Sequence, residues 1–396
     1  MIMKTVSRFI CVLVAIVMAL SFSAETFAVV ISTSDGVPQV VKRFMLENFA
    51  PTLELMLDDE NKGMGMQNFI ILNPVSFNVI ENIDEKSDLS VIHFPVAKHS
   101  SGEICFIYDV ITDGDNCWAT IGEDFAPLLN AVIAENSTDV LLVQEDFALY
   151  AVTSNSTLCQ TNMGVNRVSF ESSEELIASV GFDNMHVSHL GINNEFSDIA
   201  EKSFSKRQQG EVNGCITALR GKKRLENYPI VPQGSYDLCW AAAIATMVMY
   251  EMPDRYNQLT AKEVADDNGM EYKGANIYDC LNVVKHYFKE PYYDPSLRYS
   301  VLTPEEIKTI IDNDDPAFCE ASRPVGSGIY AYHAVAMMGY EYTSEVTAIE
   351  IVDSQYLERS KFCTYDSTGN WTFYGTKFTY GDIIYTWISA ITIDAY

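Results

Sequence analysis

Cys239 stands in Gln233-Gly-Ser-Tyr-Asp-Leu-Cys-Trp240, just ahead of the run Ala241-Ala-Ala-Ile-Ala-Thr-Met-Val-Met-Tyr250. That run has no Gly or Pro and predicts a helix with Cys239 at its start. The free N–H groups and dipole of a helix start favour an anion, so a thiolate is stabilised there. A thiolate is the nucleophile that acyl transfer needs. A lone cysteine on a helix is more often a small buried residue, so a second signal is required. Gln233 supplies one. Six residues earlier, across a loop containing Gly234, its amide can point back over the helix start. Beside the Cys239 backbone N–H it would complete a pair of donors for the oxyanion of a tetrahedral intermediate.

Acyl transfer also needs a base. His333 lies in Ile329-Tyr-Ala-Tyr-His-Ala-Val-Ala-Met-Met-Gly-Tyr340, an apolar strand in which a histidine must be satisfied by a partner. A turn around 342–345 would pair this strand with Val346–Val352. Centred near residue 343, the turn sets position 333 opposite Asp353, and cross-strand neighbours have Cβ atoms ~4.5–5.5 Å apart. The carboxylate can then orient the imidazole and stabilise its cation. A slip of one residue would turn Asp353 to the other face. His286, in the charged stretch Lys285-His-Tyr-Phe-Lys289, is the weaker candidate for the base.

The elements that must hold these residues follow from local signals. Thr260 with Glu263, and Thr303 with Pro304 and Glu306, are capping boxes that open two helices, the second ending near Asp312. An amphipathic helix is expected over Ile277–Phe288. From Pro316 onward the texture changes to strands: Ala317–Glu320, Ile329–Tyr340, Val346–Val352, Trp371–Tyr374 and Ile384–Ile393. Helices followed by antiparallel sheet is an α+β layout. The preceding half also reads as α+β. A helical pattern over Val40–Leu57 is interrupted by Pro51, and strand-like runs cover Phe69–Leu72, Val91–Pro95, Ile104–Thr112, Val140–Val143 and Ala148–Ser154. Asp113-Gly-Asp-Asn116 reads as a turn, since the other ligand positions of a calcium loop are missing. His93, His99, His186 and His189 read as structural.

Charge divides the chain. Residues 31–200 hold 26 acidic against 6 basic residues, residues 201–224 hold 2 against 7, and residues 225–396 hold 25 against 11. The basic stretch reads as an exposed linker over 203–224, and Arg220-Gly-Lys-Lys-Arg224 as its activation site. A net charge of −28 argues against nucleic acid as a partner. At the start, Lys4 and Arg8 precede twelve apolar residues, Phe9 to Leu20, and Thr26 and Ala28 fit a cleavage site. Residues 1–28 therefore read as a signal peptide, too short in its apolar run to span a bilayer. This implies a secreted protein without stable membrane association. Of nine cysteines one lies in that segment, and no CxxC pair suggests zinc. Secretion permits bridges among Cys105, Cys117, Cys159 and Cys215.

Taken in order, Gln-x5-Cys-Trp-Ala, a distant His-Ala-Val and an Asp twenty residues on resemble the papain-like cysteine proteases. Tyr228-Pro-Ile-Val-Pro-Gln-Gly-Ser-Tyr-Asp-Leu-Cys-Trp-Ala-Ala is most similar to the short bacterial branch that includes the staphopains. The resemblance covers residues 225–396. It implies a two-lobed peptidase, with a helical lobe around a central helix and a lobe of antiparallel sheet. Gln233 is implied in the oxyanion hole, Cys239 as nucleophile, His333 as general base then acid, and Asp353 as the orienting residue. Plant-type members carry Asn in that third place and continue Ser-Trp, where this chain has Ser354-Gln355. No cofactor and no metal are implied, and the substrates are proteins or peptides. Secreted relatives are made as zymogens, so residues 29–202 are expected to be a smaller acidic prodomain that inhibits the enzyme within the chain. A transglutaminase-like acyl transferase also uses a helix-start Cys-Trp with His and Asp, and a binding protein on an inactive peptidase fold is a further alternative. Gln233 favours the protease.

Overall fold

The computed structural model describes residues 30–394 apart from 33–35, 58–64, 80–89, 124, 146–147, 162–163, 170–175, 178–179, 181–184, 210–220, 290, 327–328, 343–345, 356–357, 364–376 and 381–382. The signal segment 1–28, Cys215, Arg220, the strand expected over Trp371–Tyr374 and the centre of the hairpin turn lie outside the described residues. The described chain is α+β, with seven helices and two main sheets.

Helix α1 (Gln39–Met56) contains Pro51 without ending at it. Its packing outweighs the lost hydrogen bond: Val41, Met45, Phe49 and Leu53 are all fully buried. Helix α2 (Ala126–Ala134) and helix α3 (Asn194–Gln209) complete the first half. In the second half come α4 (Cys239–Glu251), α5 (Ala261–Asp267), α6 (Ile277–Tyr287) and α7 (Pro304–Asp312). Both expected capping boxes are present, at Thr260 with Glu263 and at Thr303 with Glu306.

One sheet dominates. Its strands in chain order are β1 (Phe69–Ile71), β2 (Ser90–Lys98), β3 (Ile104–Thr112), β4 (Cys117–Gly122), β5 (Gly221–Arg224), β6 (Ser296–Arg298), β7 (Ala317–Gly326), β8 (Ile329–Tyr342), β9 (Val346–Asp353), β10 (Glu358–Cys363), β11 (Lys377–Tyr380) and β12 (Ile383–Thr392). They lie in the spatial order β6-β12-β7-β8-β9-β10-β4-β3-β2-β1, with β5 beside β8 and β11 beside β12. The two halves of the chain thus share a sheet: β10 pairs with β4 through Ser360↔Gly122 to Cys363↔Ala119. The first half is no smaller than the second and does not stand apart from it. A second sheet is built within the first half, with Asp139–Glu145 at its centre.

The basic stretch differs from a linker over 203–224. Ser203–Gln209 completes α3, where Phe204 is buried and Arg207 pairs with Glu54. Cations suit the last turn of a helix, so the basic residues support it. Gly221–Arg224 is a strand, paired antiparallel with Gly339–Tyr342. Cys105, Cys117 and Cys159 are unbridged. Cys117 pairs with Thr112, at the far end of β3 from Cys105. About seven residues at ~3.3 Å each separate them, far beyond the Cα reach of a disulfide.

Candidate active site

Cys239 opens α4 as its first residue, and Leu238 caps the helix without a side-chain acceptor. The free N–H groups of that first turn are left to solvent or to a ligand. Behind it, Trp240, Ala241, Ala242 and Ala243 are buried, and the Trp240 indole donates to the Lys273 carbonyl at 2.9 Å. That bond pins the helix start while the small alanines allow close packing. Cys239 itself is partly exposed and unbridged.

His333 lies on β8 and is 5% exposed. Its Nε2 bonds both carboxylate oxygens of Asp353, each at 3.0 Å. The pairing is not the one expected. Ala336 faces Val352, so the strands near His333 are offset by two residues from a turn centred at 343, with register shifts at 337/339 and 341/342. An offset of two preserves the face of the sheet, which is why the contact survives as a diagonal. The Gln355 backbone N–H donates to Asp353 Oδ1 at 2.9 Å and fixes the carboxylate from the other side.

Cys239 completes the group: its thiol is near enough to His333 to act on the protonation of the imidazole. Burial alone would lower the His333 pKa, and it is the largest single influence. The charge and hydrogen bonds of Asp353, then those of Cys239, overcome it and raise the pKa well above the ordinary histidine value. The imidazolium is therefore the favoured form. The far end of α4 behaves in the opposite sense towards anions: burial, Asp315 and Asp314 push the Glu251 carboxyl up to about 7.

Gln233 is 7% exposed and held by its backbone N–H, which donates to the Ser354 carbonyl at 3.3 Å. This ties it to the residue after Asp353. Its Nε2 donates to the Tyr236 carbonyl at a long 3.4 Å, and its Oε1 has no partner among the described residues. Gly234 has φ +75°, which lets the loop turn back towards α4. All four expected residues thus gather at the start of α4 and the ends of β8 and β9. His286 is exposed on α6 against Tyr287 and takes no part.

Two neighbours were not legible in the motif. Tyr385 on β12 is 4% exposed, its ring centroid 5.5 Å from that of His333. The Arg323 guanidinium lies 5.6 Å from the centroid of the Tyr385 ring and is hydrogen-bonded to the tyrosine. Register explains the grouping: Ala321 faces both His333 and Trp387, so Arg323 and Tyr385, each two residues away, share the face of His333. No local motif marks either one: Arg323 lies in a strand that also holds Glu320 and Ser322, and Tyr385 in a largely apolar one. Among the described residues no cluster of His, Cys, Asp and Glu could hold a metal, and no helix is long and apolar enough to cross a membrane. No protein-family model matches the chain, and no curated protein does.

Proposed function

We propose that the chain is a cysteine endopeptidase of papain-like fold, secreted and made as a zymogen. The observation that carries this reading is the grouping of Cys239, His333 and Asp353, with a thiol at a helix start near a histidine that a carboxylate holds through Nε2. The helices α4 to α6 ahead of a lobe of antiparallel sheet agree with a two-lobed peptidase.

In the reaction the Cys239 thiolate attacks the scissile carbonyl, and carbon–sulfur bond formation places negative charge on the carbonyl oxygen. The Cys239 backbone N–H receives that oxyanion together with Gln233, whose amide gives up its long bond to Tyr236. The His333 imidazolium donates its proton to the leaving amine as the carbon–nitrogen bond breaks. Neutral His333 then takes a proton from water, which attacks the thioester and releases the acid. Asp353 holds the ring and stabilises its cation throughout. The reaction draws on no cofactor.

The N-terminal half acts as the inhibitor within the chain. Two acidic halves repel one another, and the backbone hydrogen bonds between β4 and β10 offset that repulsion. Activation then requires both a cut in the basic stretch and the loss of this pairing. Incubating the protein with a thiol-directed irreversible inhibitor and a denatured protein substrate tests the reading: labelling at Cys239 with loss of cleavage is expected. An unlabelled Cys239, or a Cys239→Ala protein that cleaves as fast as the parent, would overturn it. Amine transfer far exceeding hydrolysis would favour the acyl transferase.

A further inference from the structure

One short segment, Tyr272-Lys273, grips the chain on both sides of Cys239. The Lys273 carbonyl accepts from the Trp240 indole, one residue after the thiol, at 2.9 Å. The Tyr272 ring lies against that of Tyr236, three residues before the thiol, at 5.1 Å between centroids and 46° between planes. The grip is itself anchored on α5. Gly269, at φ +64°, donates to the Asp266 carbonyl at 3.0 Å, and the Met270 N–H returns to the Ala265 carbonyl at 2.9 Å. This Schellman ending turns the chain sharply after the helix. The Tyr272 hydroxyl then donates to Asp266 and accepts from Lys262, whose ammonium lies 4.5 Å from the ring centroid and 2.7 Å from the Asp266 carboxylate. Lys262 and Asp266 are one turn apart, so the helix fixes where the ring lies.

Tyr236 governs the loop that carries Gln233. Its carbonyl accepts from the Leu238 N–H at 2.8 Å and from Gln233 Nε2 at 3.4 Å. The other end of the loop is tied by the Gln233 N–H to the Ser354 carbonyl at 3.3 Å. Among the described residues the Gln233 side chain is thus tethered at Nε2 alone, its buried Oε1 having no partner. We propose that Tyr272 is a positioning residue for the oxyanion hole. Through Tyr236 it holds residues 233–238 still, so that the Gln233 amide can leave the Tyr236 carbonyl for the oxyanion without the loop moving. The inference rests on the cysteine-peptidase reading and deepens it. A donor to an oxyanion is effective when it is held in place beforehand, since reordering a loose loop at each turnover costs part of what the bond supplies. That benefit belongs to the transition state, so it falls on kcat rather than on KM.

The test measures peptide hydrolysis, and alkylation of Cys239 by iodoacetamide, on the full chain after limited proteolysis in its basic stretch. Tyr272→Ala should lower kcat about tenfold, with KM within about twofold of the parent. Tyr236→Ala should do the same, and Tyr272→Phe, which keeps the ring, should restore most of the rate. Gln233→Ala should lower kcat by about 10²-fold or more. Adding Tyr272→Ala to it should cost nothing further, because the tyrosine acts through the glutamine. Alkylation needs the thiolate but no oxyanion hole, so iodoacetamide should modify Cys239 of the Tyr272→Ala protein at the parent rate. Slower alkylation, a loss that multiplies with that of Gln233→Ala, or a Tyr272→Ala protein at the parent kcat each overturns the role of Tyr272 and leaves the peptidase reading standing. Failure of the parent to cleave any peptide removes both.

Discussion

The large sheet carries two buried His–Asp pairs, and they differ in what surrounds them. His93 on β2 faces Asp109 on β3 directly, with Nδ1 and Oδ1 2.8 Å apart. His333 reaches Asp353 on the diagonal at 3.0 Å. Both pairs join antiparallel neighbours, and both are almost fully buried. His93, however, is enclosed by aromatic edges, with Phe77 and Phe125 at 5.6 and 5.4 Å between ring centroids. His333 has instead a partly exposed thiol at the start of a helix. A histidine held by a carboxylate is therefore a structural motif until a nucleophile and an opening are added to it. The carboxylate orients, the helix start supplies the reactive anion, and access decides whether chemistry follows.

This contrast breaks most sharply by substitution. Cys239→Ala should lower peptide hydrolysis by about 10⁴-fold or more, as losing a nucleophile does, and His333→Ala should do nearly the same. Neither change should move the unfolding midpoint far. His93→Ala should behave in reverse: it takes the histidine partner from the buried Asp109 carboxylate, at a cost of about 3–5 kcal/mol in stability. Turnover measured per folded molecule should stay at the parent level. Chemical denaturation alongside an active-site titration separates the two. A His93→Ala protein that is stable and inactive would show that the first pair also does chemistry.

The pH profile tests the same contrast with a smaller effect. Activity needs the His333 imidazolium beside the thiolate, so the rate should follow a bell-shaped curve. Its alkaline limb falls as pH rises through the His333 pKa. Asp353 is the main influence raising that pKa, so Asp353→Ala should bring the alkaline limb to lower pH and reduce the maximum by roughly 10²-fold. Asp109→Ala should leave the curve in place while lowering stability. An Asp353→Ala curve that loses height but keeps its alkaline limb would assign Asp353 to folding alone.

Much of the second half was readable because its signals are local. Capping boxes at Thr260 and Thr303 mark helix starts through hydrogen bonds within four residues. Cys239 at the start of α4 was equally plain, since the Ala-rich run behind it has no rival conformation. Register was harder. The bulge-like shifts in the β8–β9 pair depend on packing beyond the hairpin, and only the period of two saved the His333–Asp353 contact. What sequence could not show was long-range pairing. Nothing in Ala119–Gly122 announces that it meets Ser360–Cys363 some 240 positions on, so a charge break was read as a division that the sheet crosses. The same holds for β5: four residues rich in Lys and Arg suggest solvent, yet their backbone pairs along Gly339–Tyr342.

Tyr385 extends the comparison to the cover over each histidine. Phe77 and Phe125 seal His93 with apolar edges, whereas His333 has a tyrosine whose hydroxyl is engaged by Arg323. On the proposed papain-like reading, Gln355 stands where plant-type enzymes place an aromatic, and the Tyr385 ring, arriving from β12, lies against the imidazole. Its ring should matter more than its hydroxyl, because excluding water strengthens the His333–Asp353 pair. Tyr385→Phe keeps the ring and should change kcat/KM by less than about threefold. Tyr385→Ala admits water and should lower it by about tenfold. Arg323 sharpens the point: its cation opposes the imidazolium across the ring, so Arg323→Met should move the limb slightly towards alkaline pH while leaving the maximum near the parent value. If Tyr385→Phe instead falls as far as Tyr385→Ala, the hydroxyl and not the ring is the working part, and the two histidines are covered by different means for different reasons.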